Sequence, residues 1–235
     1  MATRAGQMTA TPPVWFATGS VDSSGAKPIL PVGDHEEDKA KLSSEEIKEN
    51  AKRQKELVSR YRAGREVPAE EIGTQFALMT TAKKPARPQP FMKMFGRLVV
   101  TSETREVLEG LDPGPLKFHP IEVLNAARTA PLWEGAELHL MQVLTCRRAM
   151  VVEDSKWLSK RVGTCADGEA RYMATALDMD DALTVTAPTD GTAEIWLDDR
   201  LDGGLFLSGR IAKALKTAKL TRGWGLKRCV VKTLH

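Results

Sequence analysis

The sequence is short of the residues that most small-molecule and metal chemistry needs. Its three cysteines, Cys146, Cys165 and Cys229, are an odd number with no metal-ligand spacing, which argues against a disulfide framework or a zinc site. There is no GxxxxGK[ST] or GxGxxG segment to cradle a phosphate. No uninterrupted apolar run is long enough to cross a bilayer. The N-terminal stretch MATRAGQMTATPPVWFATG lacks the apolar core of a secretion signal. These absences predict a protein of a reducing cytoplasm, without membrane contact, cofactor or bound metal. The net charge of +3 is too slight to imply a nucleic-acid partner by itself.

Candidate nucleophiles fare no better. Ser208, in FLSGR, lacks the preceding glycine of a nucleophile elbow. Cys146 and His139 are seven residues apart, a spacing that strand alternation can place on opposite faces, and Cys146 is expected to be a buried structural thiol. His119, between Phe118 and Pro120, is expected to be structural. DMDDA has no glycine for a calcium-loop turn, and DDRLDGG puts Arg200 where an oxygen ligand belongs.

What is present is a local design written twice. RLVVTSETREVLEGL (97–111) and GLFLSGRIAKALKTA (204–218) each run from an apolar triplet through a serine into helical spacing. Ser102 and Ser208 are the expected N-caps, accepting from the unpaired N–H groups of a first helical turn. A third helix is expected over about 43–63, where Ser43 and Glu46 form a capping-box signature and a thin apolar stripe runs amid many charges. That charged helix is a candidate surface for a partner or for a second copy of the chain. Val14 to Phe16, Phe76 to Met79, the stretch from Leu138 to Val151, ALTVTA and AEIWL supply further apolar segments, and the Asp190-Gly191 pair predicts a hairpin between the last two. The expected fold is α+β, a mixed or antiparallel sheet with a few packed helices. The expected organisation is an irregular region over 1–89, followed by a domain over 90–235.

The segments FGRLVVTSETREVLEGLDPGPLKFHPIEV and IWLDDRLDGGLFLSGRIAKALKTAKLTRGWGLKRCVV resemble the opening and ending of a family of bacterial immunity proteins, long catalogued as a domain of unknown function. The similarity covers roughly residues 90–231. One departure is Val151-Val152-Glu153-Asp154-Ser155, where the family carries an Asp-to-Ser segment after a central strand. The resemblance implies a non-enzymatic protein of polymorphic-toxin or type VI secretion systems that binds and neutralises a cognate antibacterial toxin.

Charge is distributed unevenly enough to suggest a site. The eight basic residues after Leu207 meet no acidic residue, while the preceding fifty or so residues are rich in aspartate and glutamate. An acidic surface can steer a basic toxin, so Asp178, Asp180, Asp181, Asp198 and Asp199 are the expected partner-binding residues, with Trp196 as an apolar anchor. The alternative surface is the basic flank of the last helix, Lys213, Lys216 and Lys219, which would suit a nucleic-acid-binding accessory protein.

Overall fold

The structure, a computed structural model, describes residues 12–19, 29–32, 36–79, 87–175, 179–189 and 191–233. Strand β1 (Val14–Ala17) is followed by β2 (Ile29–Pro31), α1 (Glu36–Lys39), α2 (Ser44–Arg62), α3 (Ala69–Ile72) and β3 (Gln75–Leu78). The hairpin of β4 (Phe91–Met94) and β5 (Arg97–Thr101) leads through α4 (Ser102–Glu109) to β6 (Leu116–Leu124) and β7 (Leu138–Val143). After the short strands β8 (Gly163–Thr164), β9 (Ala170–Arg171) and β10 (Thr184–Thr186) come β11 (Ile195–Asp198), β12 (Gly204–Ser208), α5 (Gly209–Thr217), β13 (Leu226–Arg228) and β14 (Val230–Lys232). The fold is α+β, as expected.

The written repeat is a repeat of topology. Of the two larger sheets, one has the order β2-β3-β6-β7-β5-β4 and the other β11-β12-β1-β13, while β10 with β14 and β8 with β9 form two-stranded pairs. In the first, the β4–β5 hairpin crosses through α4 to β6, and β7 fills the gap antiparallel to both β5 and β6. In the second, the β11–β12 hairpin crosses through α5 to β13, and β1 fills the same gap antiparallel to both neighbours. The orders β4-β5-β7-β6 and β11-β12-β1-β13 therefore match strand for strand. The filling strand follows its unit in one case and begins the described chain in the other.

The central strands β5, β7, β11 and β12 are buried on both faces, which is why β5 and β12 read as near-continuous apolar runs, whereas the longer β6 (LKFHPIEVL) is half-buried and alternates. Leu98, Val100 and Leu140 face Leu205, Leu207, Ile211 and Leu215 in a central core. Val99 turns outward to pack with Phe76, Leu132 and Trp133. Phe206 and Trp196 turn outward from the second sheet into a core closed by Met150, Leu183 and Val185. Helices α4 and α5 pack against each other.

Four expectations are corrected here. Residues before 90 do not stand apart: β1 sits inside the second sheet, β2 and β3 extend the first, and Leu57 and Tyr61 of α2 belong to the central core. Tyr61 donates its hydroxyl to Met141 O and accepts from Leu98 N at 3.2 Å, pinning α2 to two strands. The hairpin expected at Asp190-Gly191 is not formed, because β10 pairs in parallel with β14 while β11 pairs with β12; Asp190 itself lies outside the described residues. The N-cap position of α4 is Thr101 and not Ser102; Thr101 makes no side-chain cap hydrogen bond there, and the Ser102 hydroxyl donates to Glu137 at 3.0 Å. Finally, Cys146 is exposed and not a core thiol.

The caps differ in consequence. Ser43 accepts from Glu46 N at 3.3 Å while the Glu46 carboxylate accepts from Ser43 N at 2.7 Å, a complete capping box. Ser208 accepts from Ile211 N at 3.3 Å. Aligning Leu98-Val99-Val100 with Leu205-Phe206-Leu207 makes Thr101, not Ser102, the counterpart of Ser208. Ser208→Ala is accordingly expected to cost about 1 kcal/mol of stability and Ser102→Ala less than about 0.5 kcal/mol. Urea unfolding of the two variants checks this, and equal costs would contradict it.

Candidate partner-binding surface

The residues expected to form an acidic interface are mostly committed to the fold. Trp196 does point away from Ile195 and Leu197, but residues from Ala149 to Val185 cover that face; its ring is 0% exposed and stacks on Phe206 with centroids 5.7 Å apart. Asp198 is buried as well, accepting from Met150 N at 2.9 Å and from Arg200 Nη2 at 3.1 Å. Neither can meet a partner on this surface, which corrects the assignment of an apolar anchor and its acidic neighbour. Asp199 takes both arms of Arg148, each at 2.8 Å, and Asp181 takes both arms of Arg228. Asp180 accepts from Arg228 N at 2.7 Å. Asp178 lies outside the described residues.

On the alternative basic flank, Lys213 and Lys219 are exposed, while Lys216 places its ammonium 3.7 Å from the ring centre of Trp15. One of the three charges is thus already engaged by an aromatic face. His139 is buried against Arg105, and burial together with that cation lowers its pKa. Burial pushes the thiols of Cys229 and Cys146 up to about 12 and about 11, and that of Cys165 upward too, so none is tuned as a nucleophile. Cys146 keeps this shift although the residue is exposed, because its sulfur is partly desolvated.

A different surface stands out on physical grounds, at the end of the molecule where the two hairpin turns meet. Phe95 and Gly96 connect β4 to β5 as a two-residue turn with both φ angles positive, 48° and 78°. Such a turn favours Asn-Gly. A phenylalanine there adopts a conformation that costs an L-residue about 1–2 kcal/mol, and its ring is 43% exposed. The turn thus holds an aromatic side chain in the open at that cost.

Phe95 borders a groove of about 690 Å³, whose walls include Val32, Ile47, Gln54 and Ile72. Val32 and Ile47 are 38% and 40% exposed, so the groove gathers three large apolar side chains that nothing covers among the described residues. The groove is braced from behind by Arg97. Its buried guanidinium donates to Gln54 Oε1 at 3.2 Å, Ile72 O at 2.8 Å and Phe95 O at 3.4 Å, and lies 5.8 Å from the centres of the Phe95 and Phe76 rings. One cation therefore fixes α2, the end of α3 and the turn relative to one another. The sequence offers little sign of this, since Val32, Ile47 and Phe95 come from three separated elements. The dipeptide Phe95-Gly96 between two apolar runs is the one local clue.

A second exposed aromatic, Trp157, is 56% exposed at φ 60° and lies on an arm formed by residues 157–175. Its carbonyl accepts from Thr175 N at 2.7 Å.

Fold and surface together define an α+β protein that offers a braced apolar groove, and among the described residues no group of histidine, cysteine and carboxylate side chains that could hold a metal. Among the same residues no helix is long and apolar enough to cross a membrane. The chain belongs to the immunity protein family Imm11, whose model matches residues 21–231. The match begins well before residue 90, in keeping with the strands that the early residues lend to both sheets. A search of curated proteins found no match.

Proposed function

We propose that this chain is a non-enzymatic immunity protein that binds a cognate antibacterial toxin in the cytoplasm of the producing cell and blocks it by contact. Membership of an immunity family over residues 21–231 is the observation that carries this reading. The toxin belongs to a polymorphic-toxin or type VI secretion system. The groove bordered by Phe95, Val32 and Ile47 is the docking surface: aromatic anchors near the centre of an interface carry a disproportionate share of binding energy, and the Arg97 brace lowers the ordering cost of association.

Expression of the toxin encoded beside this gene in a heterologous bacterium tests the reading. Co-expression of the present chain is expected to restore growth, and the two proteins are expected to co-purify in a fixed ratio. Loss of growth that this chain does not relieve would overturn the proposal.

A further inference from the structure

Beside the groove, on the other side of the Phe95-Gly96 turn, lies a pocket of about 200 Å³ between the two sheets. Gly96 of one hairpin turn and Gly203 of the other both line it, with Arg62, Lys93 and Asp202 supplying its charges. The Lys93 ammonium is held by two neutral acceptors, Thr18 O at 3.2 Å and Gly203 O at 3.3 Å, and no described carboxylate lies within ion-pairing distance of it. Asp202 is instead paired with Arg62 at 2.8 Å. Arg171 adds a further positive charge that is felt at Arg62. Within the pocket one carboxylate therefore meets two cations.

The housing is built for this lysine. Gly19 and Gly203 both have positive φ, 60° and 67°. A Cβ at Gly19 would clash with Lys93 Cε, and one at Gly203 would stand 3.0 Å from its Nζ. Only glycine supplies both that backbone conformation and that clearance. A largely desolvated ammonium is costly unless an anion compensates it.

We infer that this pocket is a carboxylate socket, in which an anionic oxygen pairs with Lys93 between the two hairpin turns. A small free carboxylate and an acidic side chain of the toxin share this chemistry, and the second source rests on the function proposed above. Burial lowers the pKa of Lys93 to about 8, opposed by Asp202 and aided by Arg62. A bound carboxylate favours the charged lysine and so raises its titration midpoint.

The experiment is an NMR pH titration of the lysine side chains in the full chain, with the Lys93 signal assigned by its loss in Lys93→Gln. If that variant does not fold, Lys93→Arg serves the assignment, because it keeps the charge and also removes the signal. Titrations are run with succinate, with chloride at matched ionic strength, and with the toxin. A rise of about one pH unit, a ten-fold preference for the charged form, is expected in succinate and not in chloride if the socket takes free carboxylates. It is expected only with the toxin if the source is a partner side chain. No rise with either overturns the socket. A rise in succinate with a chain that gives no protection in the growth assay would leave the socket standing and remove the immunity reading.

Discussion

Asp198→Ala is expected to destabilise the protein by about 3–5 kcal/mol, the range for removing one partner of a buried ion pair. Its side chain is fully buried, and it is the only carboxylate among the described residues within ion-pairing distance of Arg200, whose side chain is 16% exposed. Besides Arg200 Nη2, it accepts from Arg200 N at 3.1 Å, from Nε at 3.2 Å and from Met150 N at 2.9 Å. Arg200 in turn donates to Met150 O at 2.8 Å, so the pair ties the end of β11 to the segment that covers the second sheet. Deleting the carboxylate leaves the Arg200 cation without a counter-charge, and the backbone N–H groups of Met150 and Arg200 without this acceptor, in a place water reaches poorly.

The same substitution in an Arg200→Met background should cost much less, because the stranded charge is gone. Unfolding in urea measures both, and a cost below about 1 kcal/mol for Asp198→Ala alone would show that the pair is solvated. Asp199→Ala provides a neighbouring contrast. It breaks a rim pair with Arg148, whose side chain is 31% exposed, and should cost clearly less than Asp198→Ala.

The elements that local chemistry specifies are the ones legible in the sequence. Leu98-Val99-Val100 and Leu205-Phe206-Leu207 announce strands buried on both faces, and Ser43 with Glu46 announces the start of α2. The errors have physical causes. Thr101 and Ser102 are adjacent hydroxyls, and only the backbone shows which one occupies the cap position. Trp196 was legible as facing away from Ile195, but its cover, Ala149, Met150, Leu183 and Val185 among others, comes from a segment whose only regular structure among the described residues is very short strands. An Asp-Gly pair favours a hairpin, yet Thr184–Thr186 finds its partner in Val230–Lys232, forty-odd residues away, through parallel pairing that no turn residue encodes. The groove was illegible because Val32, Ile47, Ile72 and Phe95 come from four separated segments that only the tertiary fold brings together. Nothing local marks Lys93, because Gly19 and Gly203, which make room for it, lie far from it in the chain.

The proposal that a braced aromatic at the hairpin turn holds the toxin stands or falls with Phe95→Asn. Asparagine suits the left-handed turn position better than phenylalanine, so the variant should unfold at the same or a higher urea concentration than the parent, which removes misfolding as an explanation. Losing a central aromatic anchor typically costs 2 kcal/mol or more, an effect of roughly 30-fold, felt mainly in dissociation. The measurement is the dissociation rate of the toxin from Phe95→Asn and from Trp157→Ala, read alongside both unfolding midpoints. Dissociation at least about ten-fold faster is expected for Phe95→Asn, with its midpoint not lowered, and little change for Trp157→Ala. Unchanged dissociation from Phe95→Asn, with faster release from Trp157→Ala, would place the interface on the arm and contradict it.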